Sequence, residues 1–357
     1  MDRKTILLLG FGILILIIML WFVGIDKVID ALKIANIGII AIAIGIQVFT
    51  YFLYTLRWQI LNRIVDMDVG IKKLLPMVLV GLAVNNITPS GRGGGEPVRA
   101  YILAKEENYP MKETFATVVA DRALDTFPFI VLAAITVTAM AFHFDVPSWL
   151  LVVMILAVIV IVVILIVLIY MCINPNFGKR VDGWIIGIVR RFYKKNSEAL
   201  ENKIHGAIFG FQDTMGMLMS NKKVLYYTIP LSFLIWFFEI FRVYLVFLAF
   251  GAHINFLVIA EVFIVASLVG MIPLLPGGLG AVDGVMMTFY STAGISFSLS
   301  AAATVIERLI SFWMATIIGL VILPYYGSSV LDKISFSPSS GEIEETPQDD
   351  SDEEQMS

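Results

Sequence analysis

Cysteine is nearly absent: Cys172 is the only one in 357 residues. That excludes an intrachain disulfide and a cysteine-based metal site. Histidine is equally scarce, and His143, His205 and His253 lie far apart, so they read as helix-end residues rather than metal ligands. No Gly-x-x-x-x-Gly-Lys-Ser/Thr phosphate loop and no His-Glu-x-x-His helix occurs. The chain therefore calls for no cofactor and no metal, and nucleic acid is not an expected partner. Charge is thin as well, at 15% of residues.

Apolar residues dominate in their place. They make up 59% of the chain, against about 45–50% in soluble domains, and the mean hydropathy is +0.88. Runs at about 5–24, 37–61, 114–142, 147–172, 224–250 and 300–326 are each long enough to cross a hydrocarbon core of about 30 Å as a helix. Two shorter stretches, about 74–90 and 256–275, end in Pro/Gly-rich loops. The first run follows Arg3-Lys4 and passes into Trp21-Phe22 without a small-residue cleavage site, so it reads as an uncleaved first span.

One pattern occurs twice. Pro89, Gly91, Gly93 and Glu96 are followed by Asp121-Arg122; Pro276, Gly278, Gly280 and Asp283 are followed by Glu307-Arg308. The segments Ala116–Arg122 and Ala302–Arg308 match closely, and each copy follows an apolar run with one arginine, Arg57 or Arg242. The expected fold is an all-α polytopic membrane helix bundle with two inverted repeats, about 40–142 and 225–327, and re-entrant Pro/Gly loops.

The basic residues orient it. With the N-terminus in the cytoplasm and re-entrant loops, twenty of the 25 bases, Arg57 and Arg99 among them, fall inside. Lys27 and Lys33 fall outside, and Arg122, Arg242 and Arg308 sit within the membrane. If 74–90 crossed fully, the four bases of 92–112 would move outside, which disfavours that topology. A multi-pass protein of the cell (plasma) membrane with both termini cytoplasmic is expected. The membrane domain spans 1–336. Within it, 174–223 reads as a basic cytoplasmic connector with one or two amphipathic helices, either recruiting anionic lipid or only obeying the charge bias. Residues 337–357 hold eight acids and no base and read as a solvated, disordered tail.

The charged residues inside apolar sequence carry the chemistry. Pro97 suits a helix's first turn, which sets Glu96 near a positive helix end. Glu96 and Asp283 then either only cap helices or, with Arg92 or Arg99 and free backbone N–H groups, help hold a lipid phosphate. Asp121, Arg122 and Asp125 lie in one apolar run, and a mid-membrane charge costs about 2.5–3.5 kcal/mol on insertion scales. Asp121 and Arg122 point about 100° apart, so each must reach another helix or a wet cavity. Glu307 and Arg308 repeat this, with Ser311 in the place of Asp125. The structural alternative is interhelical pairing across the copies, Glu96 with Arg308 or Asp283 with Arg122. Glu239 and Arg242 read as a local i,i+3 ion pair. Glu261 stands as a further proton-coupling carboxylate to weigh.

Through Pro89–Glu96, Asp121-Arg122 and Leu275–Gly280, the chain resembles the flippase-like family that includes the membrane domain of lysyl-phosphatidylglycerol synthases and stand-alone archaeal proteins. The resemblance covers about 5–327 and lacks the synthases' soluble aminoacyl-transfer domain. It implies a lipid translocase for an anionic or modified polar lipid, or a lipid-linked sugar. The substrate-binding set would be Gly91, Arg92, Gly93, Glu96, Arg99, Asp121, Arg122, Asp125, Gly278, Gly280, Asp283, Glu307 and Arg308, with no catalytic residue. Membrane lipids are the expected partners, alongside a possible lipid-modifying enzyme. The rival readings are a membrane aminoacyl- or glycosyl-transferase, or its subunit, with a carboxylate as general base, and a scaffold for a partner enzyme.

Overall fold

Apolar runs this long, with so few polar side chains, satisfy their backbone groups best as helices, and in the computed structural model the described residues, 30, 32–88, 94–144, 147–192, 197–271 and 278–326, are mostly helical with no strand among them. We number the helices in chain order. α1 is Ile37–Ile64, α2 Ile71–Ile87, α3 Gly95–Glu106, α4 Met111–His143 and α5 Ser148–Ile173. α6 is Pro175–Phe192, α7 Ser197–Ser220, α8 Lys222–Ala249, α9 Phe256–Gly270, α10 Ala281–Thr292 and α11 Phe297–Arg308. A π-helical turn, Leu309–Trp313, joins α11 to α12, Met314–Ile322. Five elements are long and apolar enough to cross a membrane: Ile37–Ile64, Met111–Phe142, Ser148–Cys172, Lys222–Ala249 and Phe297–Tyr326. They match five of the six expected runs; the sixth, 5–24, lies outside the described residues, as do the N-terminus and the acidic tail.

The two shorter apolar stretches behave differently. α2 has 17 residues and α9 has 15, and each packs against the 12-residue helix that follows it, α3 or α10. A 12-residue helix is about 18 Å long, too short for a core of about 30 Å. The α2–α3 contact is close: a Cβ on Gly95 would lie 1.9 Å from the Gly81 carbonyl oxygen. Only glycine lets these backbones meet.

α1 and α8 correspond across the sequence and meet in space. Both have 28 residues, and Asn36 and Asn221 cap them by accepting from Gly38 N and Lys223 N, each at 3.0 Å. The Asn36 N–H donates to Ala249 O at 2.7 Å. The start of α1 thus meets the end of α8, so the pair runs antiparallel. Around them α2 packs on α12, and α9 packs on α4. The apolar core runs through α8, α9 and α10, where Phe247, Ile259 and Tyr290 are fully buried. α5 turns Trp149, Ile155, Ile164 and other large apolar side chains outward along its length, as a helix in lipid contact does. The connector forms two helices, α6 and α7, that pack together, with Trp184 exposed on α6.

Buried hydroxyls in the long helices find acceptors one turn back: Thr50 donates to Ile46 O at 2.9 Å, Thr55 to Tyr51 O at 2.8 Å and Ser232 to Thr228 O at 2.8 Å.

Candidate functional site

Helical spacing gathers the site. On α1, Gln47, Tyr51, Tyr54 and Arg57 recur at three- and four-residue intervals and share one face; on α8, Trp236, Glu239 and Arg242 do the same. Both faces meet Asp121, Arg122 and Asp125 of α4 and Glu307 and Arg308 of α11 around a cavity of about 170 Å³. That is below the roughly 300–1,000 Å³ of drug-sized pockets.

The first half of the network centres on Asp121, which is 3% exposed. Arg57 Nε donates to Asp121 Oδ1 at 2.7 Å, and Arg99 Nη2 donates to Oδ2 at 2.7 Å. Arg57 Nη1 reaches Asp125 Oδ1 at 2.9 Å and Ser232 Oγ at 3.0 Å. Arg99 lies over the Trp58 ring, 4.9 Å from its centre. In the second half Arg242 Nη2 donates to Glu307 Oε1 at 2.8 Å, while its Nη1 bonds Glu239 and Gln47. Arg308 Nε pairs with Asp283 Oδ1 at 2.9 Å and lies 4.6 Å from the centre of the Phe312 ring. Each arginine thus meets a carboxylate, which offsets the desolvation of both charges.

Arg122 differs. Its nearest carboxylates are Glu96 at 3.8 Å and Asp125 at 3.7 Å, beyond hydrogen-bond distance. Its side chain is 35% exposed, against 9% for Arg308. Among the described residues it is the core arginine held most loosely, and it opens into the cavity.

The pairing corrects the expectation of cross-copy pairs: Glu96 goes with Arg122, and Asp283 with Arg308, each inside its own copy. The reason is packing. α3 lies on α4 and α10 on α11, so each motif's acid reaches the arginine of the next helix. Arg57 and Arg99 are buried too. Asp283 also accepts from the Gly280 N–H at 2.8 Å, the capping role expected as its alternative, and it meets the cavity only through Arg308. Gly278 and Gly280 have φ of 67° and 78° and shape the turn into α10; neither lines the cavity. Gly91, Arg92 and Gly93 lie outside the described residues. Glu239 does pair with Arg242. Glu261 is buried on α9 away from the cavity lining.

Several lining residues were not in the expected set. Arg57 and Arg242 are the hubs of the two halves, and their matched places in the repeat, 185 residues apart, were a visible signal. Gln47 and Ser232 share that spacing. Asn85 left no such signal: its Oδ1 accepts from Gly95 N at 2.6 Å, and its Nδ2 donates to Glu96 Oε1 at 3.3 Å. Asn86 Nδ2 donates to Phe312 O at 3.1 Å and Thr316 Oγ1 at 2.8 Å, tying α2 to the π-helical turn.

Together these features define a polytopic helical membrane protein with a buried, paired ionic core around a small polar cavity. The chain belongs to the family described as lysylphosphatidylglycerol synthase TM region, which matches residues 7–319. A UPF0104 membrane protein of Methanothermobacter thermautotrophicus is 52% identical over 334 residues, 94% of this chain and 99% of that protein. Another from Methanocaldococcus jannaschii is 30% identical over 328 residues, 90% and 94%. One from Pyrococcus horikoshii is 29% identical over 326 residues, 90% and 96%.

Proposed function

We propose that this protein is a lipid translocase of the cell membrane. It would pass an anionic or modified polar headgroup, or a lipid-linked sugar, between leaflets while the acyl chains stay in the bilayer. The observation that carries the reading is Arg122, a loosely paired and partly exposed guanidinium in a cavity whose other arginines are tightly held. A phosphate placed there gains charge-assisted hydrogen bonds that Glu96 and Asp125 do not make at their present distances.

The two halves read as inverted-topology repeats with both termini cytoplasmic. The antiparallel pairing of α1 with its counterpart α8, and the matched short-helix pairs α2–α3 and α9–α10, support that reading. Such repeats place cargo near the bilayer midplane at their interface, and a cavity lined from both halves, by α1 and α4 with α8 and α11, supports that reading. Arg308 would serve as the second phosphate ligand when its pair with Asp283 opens, and a lipid-modifying enzyme would supply the cargo. The transferase alternative is weakened because the buried carboxylates Asp121 and Glu307 are each held by arginine.

Dithionite quenching of headgroup-labelled phosphatidylglycerol in proteoliposomes tests the proposal. Quenching of the inner-leaflet pool is expected with wild type and not with Arg122→Ala plus Arg308→Ala. Equal quenching in both would remove the arginines from the mechanism. Its absence with wild type for anionic, aminoacylated and glycosylated lipids alike would overturn translocation.

A further inference from the structure

We propose that an anionic headgroup binding at Arg122 is accompanied by one proton, taken up on Glu96. This deepens the translocase reading and rests on it.

The argument begins with charge balance. Five arginines and five carboxylates line the cavity, and Asp283 on Arg308 adds a sixth carboxylate. The described site therefore has no surplus positive charge for an incoming anion. Bringing one in alone would leave an uncompensated negative charge in a poorly hydrated site.

The geometry then selects which carboxylate must respond. Arg57 and Arg99 hold Asp121, Arg57 also holds Asp125, and Arg242 holds Glu239 and Glu307. None of these pairs involves Arg122. Among the described residues Glu96 has Arg122 as its only cationic partner, at 3.8 Å. Its remaining contact is the neutral Asn85 amide, and its Oε2 is buried with no hydrogen-bond partner among the described residues. Asp121, Arg122 and Asp125 from α4, and Arg99 one turn along its own helix, line the same cavity as Glu96 and Asn85. Arg99 is committed to Asp121. When a phosphate oxygen takes Arg122, Glu96 loses its counter-charge beside two other carboxylates. A proton from solvent on Glu96 restores the balance: one negative charge enters on the phosphate and one is neutralised on the carboxylate. Glu96 Oε2, buried and without a hydrogen-bond partner among the described residues, can carry that proton, so the compensating cation is assigned as a proton.

Linkage sets the sign. If binding takes up a proton, affinity rises as pH falls, and the anion in turn favours protonation.

Calorimetric titration of the purified full chain with dihexanoyl-phosphatidylglycerol tests the coupling, in sodium-free buffers of different ionisation enthalpy. Wild type is expected to take up one proton per lipid bound, and its Kd to weaken as the pH is raised. Glu96→Gln is expected to bind with no proton uptake, with a Kd independent of pH and below that of wild type on the alkaline side. Arg122→Gln, a second variant should Glu96→Gln fail to fold, is expected to bind neither lipid nor proton. Wild-type binding without proton uptake, uptake persisting in Glu96→Gln, or binding that requires added sodium would overturn the coupling and leave the lipid site standing. No binding of this lipid by folded protein at any pH would overturn both.

Discussion

Arg57 and Ser232 are 175 residues apart in sequence and 3.0 Å apart between α1 and α8, guanidinium to hydroxyl. The same relationship recurs in reverse, since Arg242 bonds Gln47. Ser232 stands where Gln47 stands in the other half, ten residues before the arginine. Each half's hub arginine is therefore anchored partly by the opposite half, and the ionic core joins the halves as well as lining the cavity.

The hub arginines should be structural first. Arg242→Ala leaves Glu239 and Glu307 buried without a cation, and removing one partner of a buried pair costs about 3–5 kcal/mol. The expected outcome is a broad or aggregated peak in fluorescence-detected size exclusion, with Arg57→Ala behaving alike. A sharp wild-type peak for both would mean that the cavity rehydrates freely.

Arg122→Ala should behave in the opposite way. Its carboxylates are 3.7–3.8 Å away and its side chain is partly exposed, so its Tm should stay within a few degrees of wild type. Lipid translocation in the dithionite assay should be lost. A fall in Tm as large as that of Arg242→Ala would place Arg122 in the structural network instead.

The glycine contacts predict an ordered series. Gly95→Ala puts a methyl 1.9 Å from the Gly81 carbonyl oxygen, and Gly319→Ala puts one 2.3 Å from Leu79 O. Backbone cannot yield as a flexible side chain can, and overpacking costs about 1–3 kcal/mol or more. Gly45→Ala meets nothing within 4 Å and should be neutral or stabilising by up to about 1 kcal/mol, because alanine favours a helix. Thermal unfolding in detergent should rank them Gly45→Ala above wild type or equal to it, then the other two well below.

Gln47 and Ser232 should couple to their arginines. In a double-mutant cycle, Gln47→Ala with Arg242→Lys should give an interaction energy of about 0.5–3 kcal/mol, as residues of one hydrogen-bond network do. Additive effects on stability would show that the contact across the halves does not hold them together.

Much of this architecture is legible in the residues. Apolar run length marks five spans, and interruption by Pro/Gly marks the two short-helix pairs, because a helix must cover about 30 Å to cross. Duplication marks Glu96, Arg122, Asp283 and Arg308 as members of one constellation. The 100° offset between Asp121 and Arg122 implies two separate partners, and Asp121 turns to Arg57 and Arg99 while Arg122 turns to Glu96 and Asp125. Arg57 escaped because it lies near the end of its apolar stretch, where a basic residue reads as a flank at the membrane surface. Periodicity does not say how deep in the bundle a helix end is packed.

The sequence by itself determined a helical membrane protein, its duplicated charged motif and the face of each helix on which the charges stand. Those follow from local rules of helix period, hydropathy and backbone satisfaction. Only the tertiary structure decided that acid and arginine pair within each copy, that Arg57 and Arg242 are hubs, and that Arg122 is the most loosely held of the described core arginines. Those depend on which helices touch and at what depth, and a separation of one ångström between 2.7 and 3.7 Å decides whether a buried charge is held or available.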